Sequence, residues 1–169
     1  SARQDTAAWT VMIYMAADND LETFGLADIN EMEFAATSDS VHVVAQVDRS
    51  ANYTTVDGNW TEGRRYLIQH DTDITHIASP EIENLGEINT GDPQTLVDFV
   101  TWAADTYPAE HYALVIWDHG GAWLGGATDE SAEYDDLTLP ELTSAFQQIQ
   151  ANARIDKFDL LGFDACLMG

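Results

Sequence analysis

Four short apolar runs constrain this chain more than any other feature. They are Trp9 to Ala16 (WTVMIYMA), Val41 to Val47 (VHVVAQV), His111 to Trp117 (HYALVIW) and Phe158 to Phe163 (FDLLGF). A strand with one face in water alternates apolar and polar residues. Nearly unbroken runs of this length belong to strands covered on both faces. The segments between them carry helix signals. Leu21 to Ala36 sets Leu21, Phe24, Ile29, Met32 and Phe34 among acids. Asp92-Pro93 places a capping residue before a proline at the first helical position, and Leu96, Val97, Phe99, Val100 and Ala103 supply an apolar face that ends before Pro108. Thr138 and Glu141 form a capping box that opens a helix running to about Ala151. Strands alternating with helices predict an α/β fold of three layers, a mostly parallel sheet with helices on both faces, over one domain.

Three segments break the alternation. From Ala51 to Gln69, Asp57-Gly58 reads as a hairpin turn and predicts an antiparallel excursion at the sheet edge. Asp71 to Thr90 is polar with weak periodicity, a long loop carrying short strands. Asp118 to Leu137 reads as loop, glycine-rich early and acidic late.

Composition narrows the partners. Six Lys and Arg face 30 Asp and Glu, a formal charge of −24. Phosphate binding needs clustered cations, so nucleic acid and anionic membrane surfaces are disfavoured. No apolar run approaches the roughly 20 residues of a membrane span. The chain has 19 Asp and one lysine, Lys157, and its acids are spread rather than gathered in a tail. A spread acidic surface with so little lysine is expected of an acidic protein adapted to high salt, a halophilic pattern. Cys166 is the only cysteine, so no internal disulfide holds the fold.

In parallel sheets covered on both faces, ligands bind beyond the carboxyl ends of the strands. The first predicted strand is followed by Asp18, Asn19, Asp20 and Glu22, the third by Asp118, His119, Gly120 and Gly121, and the fourth by Asp164, Ala165 and Cys166. His119 and Cys166 are 47 residues apart, room for one crossover. Adjacent strands so joined bring the two side chains to opposite walls of one cleft. A thiolate nucleophile with an imidazole to handle protons is the constellation of a Cys–His hydrolase. The glycine after the histidine lets substrate backbone approach and offers an N–H to an oxyanion. Read singly, a lone cysteine after an apolar strand is a small buried hydrophobe and His-Gly a turn. Asp18, Asp20 and Glu22 read either as calcium ligands or, for Asp20, as a helix cap. Asp118 either orients His119 or satisfies backbone. Trp117 reads as core and Trp123 as a cleft wall. Asn52-Tyr-Thr and Asn59-Trp-Thr are glycosylation sequons on the predicted edge excursion.

Four blocks together resemble the clostripain-like cysteine peptidases: WTVMIYMAADNDLE (Trp9 to Glu22), NTGDPQTL (Asn89 to Leu96), WDHGG (Trp117 to Gly121) and GFDACLMG (Gly162 to Gly169). They occur in the family's order over nearly the whole chain. The family shares a clan with caspases, gingipains and legumains, whose signature is a strand ending in His-Gly and a later one ending in Ala-Cys. The resemblance implies a caspase-like fold and an endopeptidase that cleaves polypeptides after Arg, or Lys, through an acyl-enzyme. It implies Cys166 as nucleophile, His119 as catalytic histidine, and the N–H groups of Gly120 and Cys166 as oxyanion hole. Asp164 matches an acid of the S1 pocket, where a buried carboxylate would pair with guanidinium. No cofactor is required for this chemistry, while calcium, bound near Asp18 and Asp20, is an option that the family's habits raise. With the acidity, those habits imply an extracellular or cell-surface protein without its signal peptide.

The resemblance also implies departures. Family members continue well past the cysteine, whereas this chain has three residues after Cys166. The domain at 1–169 is therefore expected to be incomplete at its C-terminus and to need its remainder or a second chain. Many relatives are processed after a basic residue between the two catalytic positions. Here the first such residues are Arg154 and Lys157, with none from Gly120 to Ala153. Two other functions stay open: a binding or scaffold module that keeps the family fold without catalysis, and a metal-dependent hydrolase using Asp18, Asp20, Asp118 and His119.

Overall fold

The computed structural model describes residues 6–36, 38–153 and 155–168. The elements in chain order are β1 (Ala7–Ala17), α1 (Glu22–Ala35), β2 (Val41–Arg49), β3 (Gly63–Leu67), β4 (Glu81–Gly86), α2 (Pro93–Thr106), β5 (Ala109–Trp117), β6 (Gly126–Asp129), β7 (Asp135–Leu137), α3 (Leu139–Asn152) and β8 (Leu160–Asp164). A 3-10 turn at Ala122–Leu124 precedes β6. Six strands form one sheet in the order β4-β3-β2-β1-β5-β8, and β6 pairs with β7 in a separate ribbon. The four strands read from the apolar runs are β1, β2, β5 and β8, and they are mutually parallel. The expected α/β class with a mostly parallel sheet holds.

Burial on both faces explains the unbroken runs. Met12, Tyr14 and Ala16 of β1 pack with Leu96, Phe99 and Val100 of α2 and with Leu142, Ala145 and Ile149 of α3. The intervening Ile13, Met15 and Ala17 pack on the other face with Leu26 and Ile29 of α1. Each Leu, Ile, Val, Phe or Met among them contributes about 1.5–3 kcal/mol when fully buried. Both predicted caps form: Asp92 accepts the Gln94 N–H with Pro93 in the first turn, and Thr138 and Glu141 close a complete capping box.

Three expectations are corrected. The edge excursion exists as antiparallel β3 and β4, but the Thr-containing stretch before Asp57-Gly58 forms no strand, and β3 after it pairs with β2 and β4 instead. Asp57 and Gly58 do take positive φ, 59° and 82°, as a tight turn requires. Their neighbours bond elsewhere: the Arg49 guanidinium donates to the carbonyls of Thr54, Val56 and Gly58. The loop from Asp118 to Leu137 contains the β6–β7 ribbon. On α1, Phe24 and Phe34 face outward, each 62 % exposed, while Glu22 and Glu33 are buried. Their partners explain the inversion: Glu22 pairs with Arg49 at 2.7 Å, and Glu33 accepts the Ser79 N–H at 2.7 Å.

Arg154 lies outside the described residues. Lys157 is exposed and pairs with Asp159 at 2.9 Å. No helix among the described residues is long and apolar enough to cross a membrane.

Candidate functional site

The parallel strands deliver their carboxyl ends to one rim. β1 is followed by Asp18 and Asn19, β2 ends in Asp48 and Arg49, β5 is followed by Asp118 and His119, and β8 ends at Asp164 with Cys166 in the turn beyond. β5 and β8 are neighbours, with Trp117 in register with Asp164. The Asp118 N–H continues the ladder to the Asp164 carbonyl at 3.3 Å. Gly120 then meets the cysteine turn. A Cβ placed on Gly120 would lie 1.9 Å from the Cys166 carbonyl oxygen and 2.8 Å from Met168 Cγ. Only a glycine permits this approach without moving backbone. His119, Gly120, Gly126, Leu137, Phe163 and Ala165 line one small apolar crevice. Cys166 is exposed, not the buried structural thiol that a lone cysteine by default suggests.

The acids divide by environment. Asp20 is exposed, and its Oδ1 lies 2.7 Å from His119 Nε2. It does not cap α1: Leu21 occupies the cap position without a side-chain hydrogen bond, and Asn19 Oδ1 accepts the Leu21 N–H at 2.9 Å. Asp118 is buried. It accepts from Asn19 Nδ2 at 2.7 Å and from the Thr128 N–H, so it fixes backbone while Asp20 contacts the histidine ring. Burial raises the Asp118 carboxyl to about 6, against the N–H groups that favour its charged form. Burial raises Asp18 as well, and it drives Asp48 to about 9 with help from Asp129, Glu87 and Asp18.

Asp164 opens onto the opposite face of the sheet from the histidine crevice. It shares a groove with Asp28 and Glu31, walled by Met15, Met32, Val115 and Trp117. The carboxylate is exposed in this chain rather than buried as anticipated. Trp117 is core, and its Nε1 donates to Asp28 at 2.7 Å. Trp123 is 79 % exposed in the turn after the His-Gly-Gly segment. Asn52 and Asn59 are exposed on the loop held by Arg49.

The four residues of the metal-hydrolase reading do not gather. Among the described residues the one grouping of metal-competent side chains is Asp18, Asp48 and Asp129. Neither Asp48 nor Asp129 is among the candidate residues read from the sequence. Asp48 directly follows the apolar run Val41 to Val47 at the end of β2, a usable signal for a rim position. Asp129 lies in a segment with no periodicity to place it.

The family model described as "Clostripain family" matches residues 13–169. The chain belongs to the clostripain family. Clostripain of Hathewaya histolytica is 32 % identical over 184 residues, covering 95 % of this chain and 34 % of that protein. The chain thus spans about a third of the length of that curated relative. Among solved structures, a secreted C11 cysteine protease from Bacteroides thetaiotaomicron, bound to an irreversible peptide inhibitor, superposes with a TM-score of 0.73. It is 25 % identical, and the match covers 96 % of this chain and 43 % of that one. An inactive zymogen C11 protease from Parabacteroides distasonis shares the fold at a TM-score of 0.70 and 24 % identity, over 99 % of this chain and 44 % of its own. The fold expected from the clostripain resemblance is therefore the fold observed.

Proposed function

We propose that this chain is the His- and Cys-bearing part of a secreted cysteine endopeptidase that cleaves polypeptides after arginine. The observation that carries the reading is the approach of Gly120 to the Cys166 carbonyl, which joins the ends of β5 and β8. Cys166 Sγ attacks the scissile carbonyl carbon, and the oxygen gathers negative charge. The N–H groups of Gly120 and Cys166 are the donors for that oxyanion. Asp20 accepts the His119 Nε2–H, which leaves Nδ1 to take the Cys166 thiol proton and pass it to the departing amine as the C–N bond breaks and a thioester remains. Water then hydrolyses the thioester, and the thiol is regenerated. These steps use the chain's own groups.

Specificity for arginine follows from the groove beside Asp164. Its apolar walls suit the aliphatic stem of a long basic side chain, and Asp164, Asp28 and Glu31 supply negative charge for the guanidinium. The remainder of the full-length protein, or a second chain, is the source of further pocket walls. The net charge of −24 points to assays in high salt, where self-repulsion is screened.

The test uses the full-length protein in high salt, with a fluorogenic arginine substrate and an arginine-directed thiol-reactive inhibitor. Turnover is expected, with the label located on Cys166 by mass spectrometry. Cys166→Ala is expected to lower turnover by more than about 10⁴-fold. Retained turnover in Cys166→Ala would overturn the assignment. A folded protein with neither turnover nor label would favour the non-catalytic binding module.

A further inference from the structure

We propose that Asn52 and Asn59 are N-glycosylated, each receiving an oligosaccharide from a polyprenyl-phosphate carrier. The proposal rests on the secretion contained in the preceding reading and on none of its catalytic chemistry. Asn52-Tyr53-Thr54 and Asn59-Trp60-Thr61 are acceptor sequons with no proline at the middle position. The chain has seven asparagines, and no other one stands two residues before a serine or threonine.

The structure separates these two asparagines from those that build the fold. Asn19 is buried, and its amide donates to Asp118 and to the Ala16 and Thr128 carbonyls. Asn30 is buried and donates to the Leu26 carbonyl. Asn84 accepts the Gly86 N–H, and Asn89 accepts the Gly91 N–H while donating to Asp135. Asn52 and Asn59 are exposed, and among the described residues neither carboxamide has a hydrogen-bond partner. Asn52 bonds through its backbone N–H alone, to Ser50 Oγ. An amide that serves as a donor inside the fold is not free to act as a nucleophile. These two are.

The loop that carries them is held by other groups. The Thr54 N–H donates to Glu22 Oε2, and Arg49 donates to the carbonyls of Thr54, Val56 and Gly58. The middle residue of each sequon is anchored too. Tyr53 donates its hydroxyl to the Glu130 carboxylate at 2.7 Å. The guanidinium carbons of Arg49 and Arg64 lie 4.4 and 4.3 Å from the Trp60 ring centroid. In both sequons the fold grips the residue after the asparagine and leaves the asparagine in water. A glycan is bulky and hydrated, so its attachment point must stay in water after folding. The sequon hydroxyls are free as well. Thr54 Oγ1 accepts the Val56 N–H, which leaves its own proton unused, and Thr61 Oγ1 has no partner among the described residues.

In the transfer, asparagine Nδ2 attacks the anomeric carbon of the lipid-linked sugar. The N–C bond forms, the bond from that carbon to the phosphate oxygen breaks, the lipid phosphate leaves and the amide gives up one proton. Sugar at both points would screen Tyr53 and Trp60, the loop's aromatic residues, from proteases in the medium.

The test uses the full-length protein recovered from the medium of its native cells. Trypsin has no site between Arg49 and Arg64, so one peptide, Ser50 to Arg64, carries both sequons. That peptide is expected to carry two sugar increments, placed on Asn52 and Asn59 by electron-transfer fragmentation. Asn52→Gln and Asn59→Gln, made in the same cells, are each expected to lose one increment and keep the other. Both replace exposed residues without side-chain partners, so the fold is preserved. Thr61→Val keeps Asn59 and removes the sequon hydroxyl, and it is expected to lose the Asn59 increment alone. An increment on Asn59 that persists in Thr61→Val would overturn enzymatic transfer, because chemical glycation ignores residue 61. Secreted protein whose Ser50–Arg64 peptide has its unmodified mass would overturn the proposal and leave the peptidase reading standing. Protein retained inside the cells would overturn the secretion part of that reading and the proposal with it.

Discussion

The two halves of the carboxyl rim treat polar groups oppositely. At the ends of β1 and β2, Asp18, Asn19, Asp48 and Arg49 are nearly inaccessible. At the ends of β5 and β8, Asp164 and Cys166 are exposed and the His119 side chain retains 45 % of its accessible surface. Position in the sheet explains the contrast. β1 and β2 are central, and the 51–60 loop and residues 128–132 fold over their ends. β8 lies at an edge of the described sheet. The buried half fixes geometry, and the open half carries the groups proposed to meet substrate. Those groups are the ones least held by packing, and they depend on the buried half for their placement.

Breaking the buried half should have the largest effect on the fold. Glu22→Gln leaves the Arg49 charge uncompensated in the interior and also weakens the acceptor for the Thr54 N–H. A loss of about 3–5 kcal/mol is expected by chemical denaturation, with early proteolysis of the 51–60 loop. Unchanged stability would mean that the pair is not the staple of that loop.

Asp118 sits between the halves and gives a pH signature. Its folded-state value, about 6, is above the ordinary carboxyl value of 3.8. Its contribution to stability is therefore fully present below pH about 4 and lost as pH rises through about 6. The span corresponds to roughly 3 kcal/mol. Asp118→Asn is expected to remove that slope, read as the difference between variant and parent unfolding free energies across pH 4–7. Parallel profiles would contradict the raised value.

In the open half, Asp20→Asn is expected to lower kcat about tenfold and leave KM and Tm nearly unchanged, since Asp20 is exposed and its side chain's hydrogen-bond partner among the described residues is the histidine. A change confined to Tm would make Asp20 structural. The smallest effect is on the outer face of α1. Phe34→Ser, at an exposed position, should stay within about 0.5 kcal/mol of the parent, whereas Ile29→Ala on the inner face should cost about 2–5 kcal/mol.

That α1 pair also marks what sequence could and could not show. The four parallel strands were legible because burial on both faces writes an unbroken apolar run. α2 and α3 were legible because their caps are local chemistry, at Asp92 and Thr138. The rim residues His119 and Cys166 followed from strand ends alone. The face of α1 was misread, because hydrophobicity points to Phe24 and Phe34 while pairing with Arg49 and Ser79 buries Glu22 and Glu33. Asp57-Gly58 has the expected turn conformation but no hairpin, because a distant guanidinium claimed the neighbouring carbonyls. Asp129 joins Asp18 and Asp48 across the fold, and nothing near it in sequence announces that meeting.

The strand order also makes the two rim positions share one support. Among the described residues β8 pairs with β5 alone, and β5 reaches the rest of the sheet through β1. The strand that leads to Cys166 is thus tied to the core of the sheet only through the strand that leads to His119. Whatever loosens β5 from β1 moves both residues of the proposed dyad, so the seam between those two strands is the hinge pin of the whole rim.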